Sequence, residues 1–379
     1  MSGSSSVDDA QEILKETSLP RYADTDERVL AAVAEADAAI AAEAEAEAHD
    51  GYRWVLWTWA VVIAFGLVAV VRSHQVGIPI RDPGHAFFLS RLGINLVLFA
   101  VIAFADSAWR LGLRNYSTAR TWAALRKRWT RRRLFLATSA FLAYQTVYLS
   151  YHNLKSWDVL NAPRDDMLLR WDRFLFLGND PATLLHGLLG EHYAAYVLMV
   201  IYESFSTLVT FTVVAMVVLP RRMRDAYAFI ASAIWTWIFG TISYYAIPSL
   251  GPFDSAPELF RGLPHLMIQD TQALYMDQRA QLLAHPEWSD SFAQVSAFAS
   301  LHTGVTTLIL LMVRWFGLRL LTRAMTIYLI CTMIATIYLG WHFVLDDVAG
   351  LAMAWVAVAI GTRMVYPGGK RPIAATAPD

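Results

Sequence analysis

Hydrophobic positions along the chain come in long blocks and not in the short alternating patterns of exposed strands. Eight blocks stand out, at roughly 54–71, 91–109, 134–150, 192–219, 227–247, 297–317, 324–341 and 346–365. A helix needs about 20 mostly apolar residues to cross a bilayer core. Continuous runs of this length read as helices, because barrel strands would give short alternating segments. The pattern therefore predicts an all-α polytopic membrane protein with eight transmembrane helices. The fourth block is long enough to tilt or to begin outside the lipid.

Composition agrees with this picture and narrows it. Hydrophobic residues make up 56% of the 379 and charged residues only 17%, which excludes an ordinary soluble domain. The single cysteine, Cys331, lies in an apolar run, where it reads as a small buried hydrophobe. The first 50 residues carry 13 acidic and 3 basic side chains. They lack the apolar core of a signal peptide. Their Ala and Glu favour helix, but few large apolar side chains accompany them, so they read as a solvated tail. The 14 Trp and 16 Tyr, many near block ends, read as interfacial anchors.

Charge sets the orientation. The loop 110–133 holds nine basic residues and no acid: Arg110, Arg114, Arg120, Arg126, Lys127, Arg128, Arg131, Arg132 and Arg133. Arg221, Arg222 and Arg224 mark a second basic group, Arg314, Arg319 and Arg323 a third, and Arg363, Lys370 and Arg371 a fourth. In an eight-helix count all four fall on one face. The positive-inside rule makes that face cytoplasmic, with both termini, in a plasma membrane. The same rule accounts for the Arg-rich loop without a nucleic-acid partner. The other face receives 72–90, 151–191 and 248–296. In the second of these, Leu160, Met167, Leu168, Leu169, Trp171, Phe174 and Leu175 suggest an amphipathic piece at the interface. The third is long for a loop, and such loops are usually functional or mobile.

Polar groups at membrane depth are costly and usually have a role. Three clusters qualify: "IPSLGPF" at 247–253, "FASLHTG" at 298–304 and "GWHFVLDDVAG" at 340–350. The orientation set by the arginines puts all three on the extracytoplasmic face. His342 and Asp346 are four apart, which on a helix places them on one side. A carboxylate that accepts from one imidazole nitrogen leaves the other free to attack. His302, from a different helix, then serves as acid or base. The plainer reading of Asp346 and Asp347 is helix capping and dipole compensation. Two His and one Asp make a thin metal or haem site, and neither metal nor cofactor is expected. A transporter is the rival class, but no clear internal repeat or broken helix supports it.

These three clusters resemble the signature motifs of the type 2 phosphatidic acid phosphatase superfamily. The third matches through His342, Asp346 and Gly350, the second through Ser300, Leu301 and His302. The likeness is closest to the inositol phosphorylceramide synthase-like branch, and "RWDRFLFLGNDPATLLHGLLG" is similar to that branch too. It covers roughly 134–366, which implies a six-helix catalytic core. The tail 1–50, the two added helices with the basic loop (51–133) and the tail 367–379 flank that core. The resemblance implies that His342 attacks phosphorus, that His302 protonates the leaving group and that Asp346 holds His342. It also implies a membrane lipid phosphate or phosphodiester as substrate, with a polyol or sugar as acceptor, or with water in the alternative of a phosphatase acting on prenyl or glycerolipid phosphates.

The chain departs from the phosphatase pattern where that branch carries cations. Gly240 and Ile247 stand at the places of a Lys and an Arg, Thr336 at that of another Arg, and Ala299 at that of a proline. Another cation is therefore expected at the phosphate, with Arg261, Arg279, Lys155, Arg164, Arg170 and Arg173 as candidates. Ser300, Ser249, Tyr244 and Tyr245 are candidate hydrogen-bond donors. Tyr202, Glu203 and Ser204 lie near mid-span, where Glu203 is expected to be protonated or paired within the bundle.

Overall fold

The computed structural model describes residues 51–112 and 117–369, with scattered positions between 31 and 45. Arg114, Lys370, Arg371 and most of the two tails lie outside the described residues. Among the described residues there is no strand. The α-helices of nine or more residues among the residues described from 51 on are α1 (Arg53–Val76), α2 (Leu89–Arg110), α3 (Thr118–Arg128), α4 (Arg131–Asp158), α5 (Asp165–Leu175), α6 (Pro181–Leu189), α7 (Tyr193–Val218), α8 (Met223–Ala246), α9 (Met267–Ala284), α10 (Leu301–Trp315), α11 (Arg319–Tyr338) and α12 (Val344–Val365).

Each apolar block coincides with a helix, but not all eight have the expected character. Six helices are long and apolar enough to cross a membrane: α1, α2, α7, α8, α11 and α12. The helix over the third block, α4, runs for 28 residues and is too polar to qualify. Its polar side chains Gln145, Ser150, Asn153, Ser156 and Asp158 are buried, while Leu134 and Phe135 are exposed. The helix is buried on most sides, with these polar groups packed among apolar ones such as Phe141, Val147 and Trp157, so its hydropathy average reflects an environment of protein as much as of lipid. The helix over the sixth block, α10, has only 15 residues, about 22 Å at 1.5 Å per residue. Residues 297–300 of the expected span are not part of it.

The described residues fall into two compact units. The first combines tail positions with those within 101–134. There Glu43 pairs with Arg110 at 3.2 Å and with Arg128, and Asp106 reaches both arginines at 2.9 and 3.3 Å. The acidic tail, expected to be solvated, thus meets the basic loop at Glu43.

The second unit holds 51–100 and 135–369. Its centre is α8, which is buried nearly all round and packs against α12, α10, α7 and α1. Close approach of helices needs small residues. A Cβ on Gly361 would stand 2.4 Å from the Ser232 amide, so α12 can lie on α8 only with glycine there. The segment 248–296, expected as a long loop, contains the 18-residue α9. Arg81 holds its end in place by donating to the carbonyls of Ser291 (2.6 Å) and Pro286 (2.7 Å).

Candidate active site

Helices α8 and α11 end, and α10 and α12 begin, at the same end of the bundle. Their loops carry the three polar clusters, which are bonded to one another through the backbone. Ser249 accepts from the Ala297 amide with its carbonyl (2.9 Å) and from the Phe298 amide with its hydroxyl (2.8 Å). The Gly340 carbonyl accepts from the Phe253 amide at 2.9 Å, and the Asp346 carbonyl from the Ser300 amide at 3.0 Å. Two glycines permit these contacts. A Cβ on Gly251 (φ +111°) would stand 2.5 Å from the Trp341 carbonyl, and one on Gly350 2.5 Å from the Ser300 carbonyl.

His342 is not on a helix, contrary to expectation. It lies in the turn after α11, two residues before α12 begins, and Asp346 occupies the third helical position. The Oδ2 of Asp346 stands 3.2 Å from His342 Nδ1 and accepts from the Phe343 amide at 3.0 Å. One oxygen therefore both caps the helix and meets the imidazole. Burial holds the His342 imidazole down to about 4; the Asp347 charge opposes this, Lys155 reinforces it, and the Ala297 carbonyl opposes it. The ring is consequently neutral at ordinary pH.

His302 sits in the first turn of α10, in an aromatic slot. Its ring stacks on Tyr202 at 4.2 Å and lies 4.3 Å from Phe205. Tyr202 in turn stacks on Trp341 at 5.6 Å. The His302 and His342 rings are 5.9 Å apart, centre to centre, and tilted by 58°. Two imidazoles, one from the first turn of α10 and one from the turn before α12, thus lie next to each other.

A comparison with known families matches residues 166–360 to the PAP2 superfamily, which is more than half of the chain. The chain belongs to the PAP2 superfamily. Members of this superfamily are generally phosphatases or phosphotransferases. No curated protein and no solved structure matches the chain.

Two of the three missing cations of the phosphatase pattern have local explanations. At the place of the expected lysine, a Cβ on Gly240 would already lie 2.9 Å from the Leu301 side chain, leaving no room for a longer residue without a shift. Thr336, at the place of an arginine, donates its hydroxyl to Asp347 at 2.9 Å. Thr303 donates to the other Asp347 oxygen at 2.6 Å, so two hydroxyls satisfy this buried carboxylate.

The expected phosphate ligands divide. Ser300 caps α10 by accepting from the Thr303 amide at 3.3 Å. Ser249 is committed to the second cluster as described. Tyr245 donates to the Leu154 carbonyl at 2.9 Å. The Tyr244 hydroxyl meets that of Tyr151 at 3.3 Å. These groups build the site, and their hydrogen bonds are occupied by protein. Arg164, Arg170 and Arg261 are exposed, Arg279 is half-buried, and Arg173 pairs with Asp180 at 2.7 Å. Lys155 is the candidate whose charge acts on both His302 and His342. Ser204 shares a hydrogen bond with Tyr328 at 2.9 Å, whereas Glu203 is exposed on α7 and makes no ion pair among the described residues.

Two acids had no role in the sequence reading. Asp165 Oδ1 accepts from the amides of Leu250 (3.0 Å) and Gly251 (2.8 Å), and so holds the first cluster. Asp172 Oδ2 accepts from the Val344 amide at 2.9 Å, and so caps the helix that carries Asp346. Burial raises both, Asp172 to about 6, and the amides oppose the shift. They are seven residues apart, two turns of α5, on its buried side. Trp171 and Phe174 occupy the exposed side. That spacing was the available signal, hidden by the interfacial reading of the same helix.

Proposed function

We propose that this PAP2 protein is an integral membrane enzyme that transfers phosphoryl or phospho-alcohol groups of a lipid phosphate or phosphodiester through a phosphohistidine. The observation that carries the reading is the His342–Asp346 hydrogen bond with His302 facing it 5.9 Å away. In the first step His342 Nε2 attacks phosphorus while the bond from phosphorus to the leaving oxygen breaks. His302, protonated at that point, gives its proton to the leaving oxygen. In the second step His302 takes the proton of an incoming hydroxyl, the new oxygen–phosphorus bond forms, and the nitrogen–phosphorus bond breaks. Asp346 keeps His342 in the tautomer whose Nε2 lone pair is free. The scheme uses no metal.

We read the incoming hydroxyl as that of an inositol-type or sugar-type alcohol, which makes the enzyme a headgroup transferase. The support is the absence of the three cations of the phosphatase pattern, a departure shared in part by the synthase-like branch. We also read α4 and α10 as spans, giving eight helices with a core over 134–366. The site then opens on the extracytoplasmic face of a plasma membrane, with both termini cytoplasmic. A lipid can present its phosphate there while its tails stay in the bilayer.

The test is incubation of the detergent-purified protein with a panel of radiolabelled lipids, with and without inositol. Headgroup exchange is the expected result. Release of free phosphate instead would make the protein a lipid phosphatase, and no turnover of any phosphate-bearing lipid would contradict the reading. Protease accessibility of 248–296 from the cytoplasmic side would contradict the orientation.

A further inference from the structure

The mechanism just proposed, on which this inference rests, needs positive charge where negative charge builds on the phosphoryl oxygens. The arginines and lysine of the phosphatase pattern do not supply it. We propose that Lys155 of α4 is the residue that binds the substrate's phosphate, replacing that clamp from a different helix.

Four observations converge on this residue. Lys155 is the cation whose charge acts on both catalytic imidazoles. Its Nζ stands 5.7 Å from the centre of the Tyr244 ring, half-buried among aromatic groups of α4 and α8. It has no carboxylate within ion-pair distance and no hydrogen-bond acceptor among the described residues. Asp158, one turn on, accepts instead from Asn161 (3.0 Å) and Ser296 (3.1 Å). One turn back, both ring nitrogens of His152 are buried without a hydrogen-bond partner.

A half-buried ammonium among aromatic groups without an acceptor is costly, and so is an imidazole with two unused buried nitrogens. Both costs fall when an anion completes the site. A phosphate lying between His302 and His342 brings that anion to the side of the site where α4 places its lysine. Lys155 then neutralises the transferred group in both steps.

The test uses orthovanadate as the phosphate mimic and the full-length protein in detergent. In the wild-type protein vanadate is expected to inhibit lipid turnover and to protect Lys155 from reductive methylation, read by mass spectrometry. Lys155→Met is expected to lower kcat/KM by about 100-fold and to weaken vanadate inhibition, while Lys155→Arg recovers much of both. Unchanged kcat/KM and vanadate sensitivity in folded Lys155→Met would overturn the assignment. If that variant does not fold, methylation of the wild-type protein decides: vanadate inhibition without protection of Lys155 overturns the lysine alone. Failure of the wild-type protein either to turn over lipid or to bind vanadate overturns the phosphoryl-transfer reading, and the role of Lys155 with it.

Discussion

Asp172 and Val344 are 172 residues apart in sequence, yet the carboxylate of the first accepts the backbone N–H of the second at 2.9 Å. This bond fixes the start of α12, and with it the position of Asp346 beneath His342. Asp172→Ala removes the cap and leaves the amide unsatisfied. The expected loss is about 1–2 kcal/mol of stability, with kcat reduced more than substrate binding. Thermal unfolding and steady-state kinetics of the variant check this. Asp172→Asn retains an acceptor and is expected to lose less.

In the proposed mechanism neutral His342 is the attacking species, and burial lowers its ionisation to about 4. A lowered value means the proton leaves at lower pH, so the nucleophile persists well below the ordinary histidine range. For a phosphodiester substrate, which does not itself titrate there, the acid-side loss of kcat/KM that reports on His342 is expected only as pH approaches 4, while the need for a protonated His302 sets a separate fall toward higher pH. An acid-side fall centred near the unperturbed histidine value of about 6.5 would contradict the burial argument.

Asp346 performs two tasks with one oxygen. Asp346→Asn can still accept the Phe343 amide through its carbonyl, but it holds the imidazole less well in the required tautomer. The variant is therefore expected to fold and to lose about 10³-fold or more in kcat. Circular dichroism and gel filtration beside the kinetics separate the two tasks. Wild-type turnover by the folded variant would leave Asp346 a capping residue only.

Gly350 lets α12 lie against the start of α10. Gly350→Ala places a methyl group 2.5 Å from the Ser300 carbonyl before relaxation. The expected cost is about 1–3 kcal/mol, with the His302–His342 spacing disturbed as the helices separate. A lower unfolding temperature together with reduced activity would show it.

Much of the fold was legible because lipid imposes long apolar blocks, and every block became a helix. The two exceptions have different causes. Where a helix turns polar side chains inward, as α4 does with Gln145 and Asn153, an average over the sequence no longer separates span from loop. For α10 residues 297–300 stay outside the helix, because Ser300 caps it. The approach of His342 to Asp346 was readable from their four-residue spacing, and His302, which the structure brings 5.9 Å from His342, stood out by residue type. The support around them was not readable. Asp165 and Asp172 act on loops 85 or more residues away, and the Asp347 hydroxyl partners come from α10 and α11. Such pairings exist only once the loops have met.

The central claim is that His342 becomes covalently phosphorylated. Rapid quenching after exposure to a ³²P-labelled lipid substrate, followed by peptide mapping under alkaline conditions that preserve phosphohistidine, tests it directly. The expected result is acid-labile label on the His342 peptide, absent from His342→Ala and from Asp346→Ala much reduced. Turnover of the lipid by His342→Ala, or label on another residue in the wild-type protein, would contradict the account.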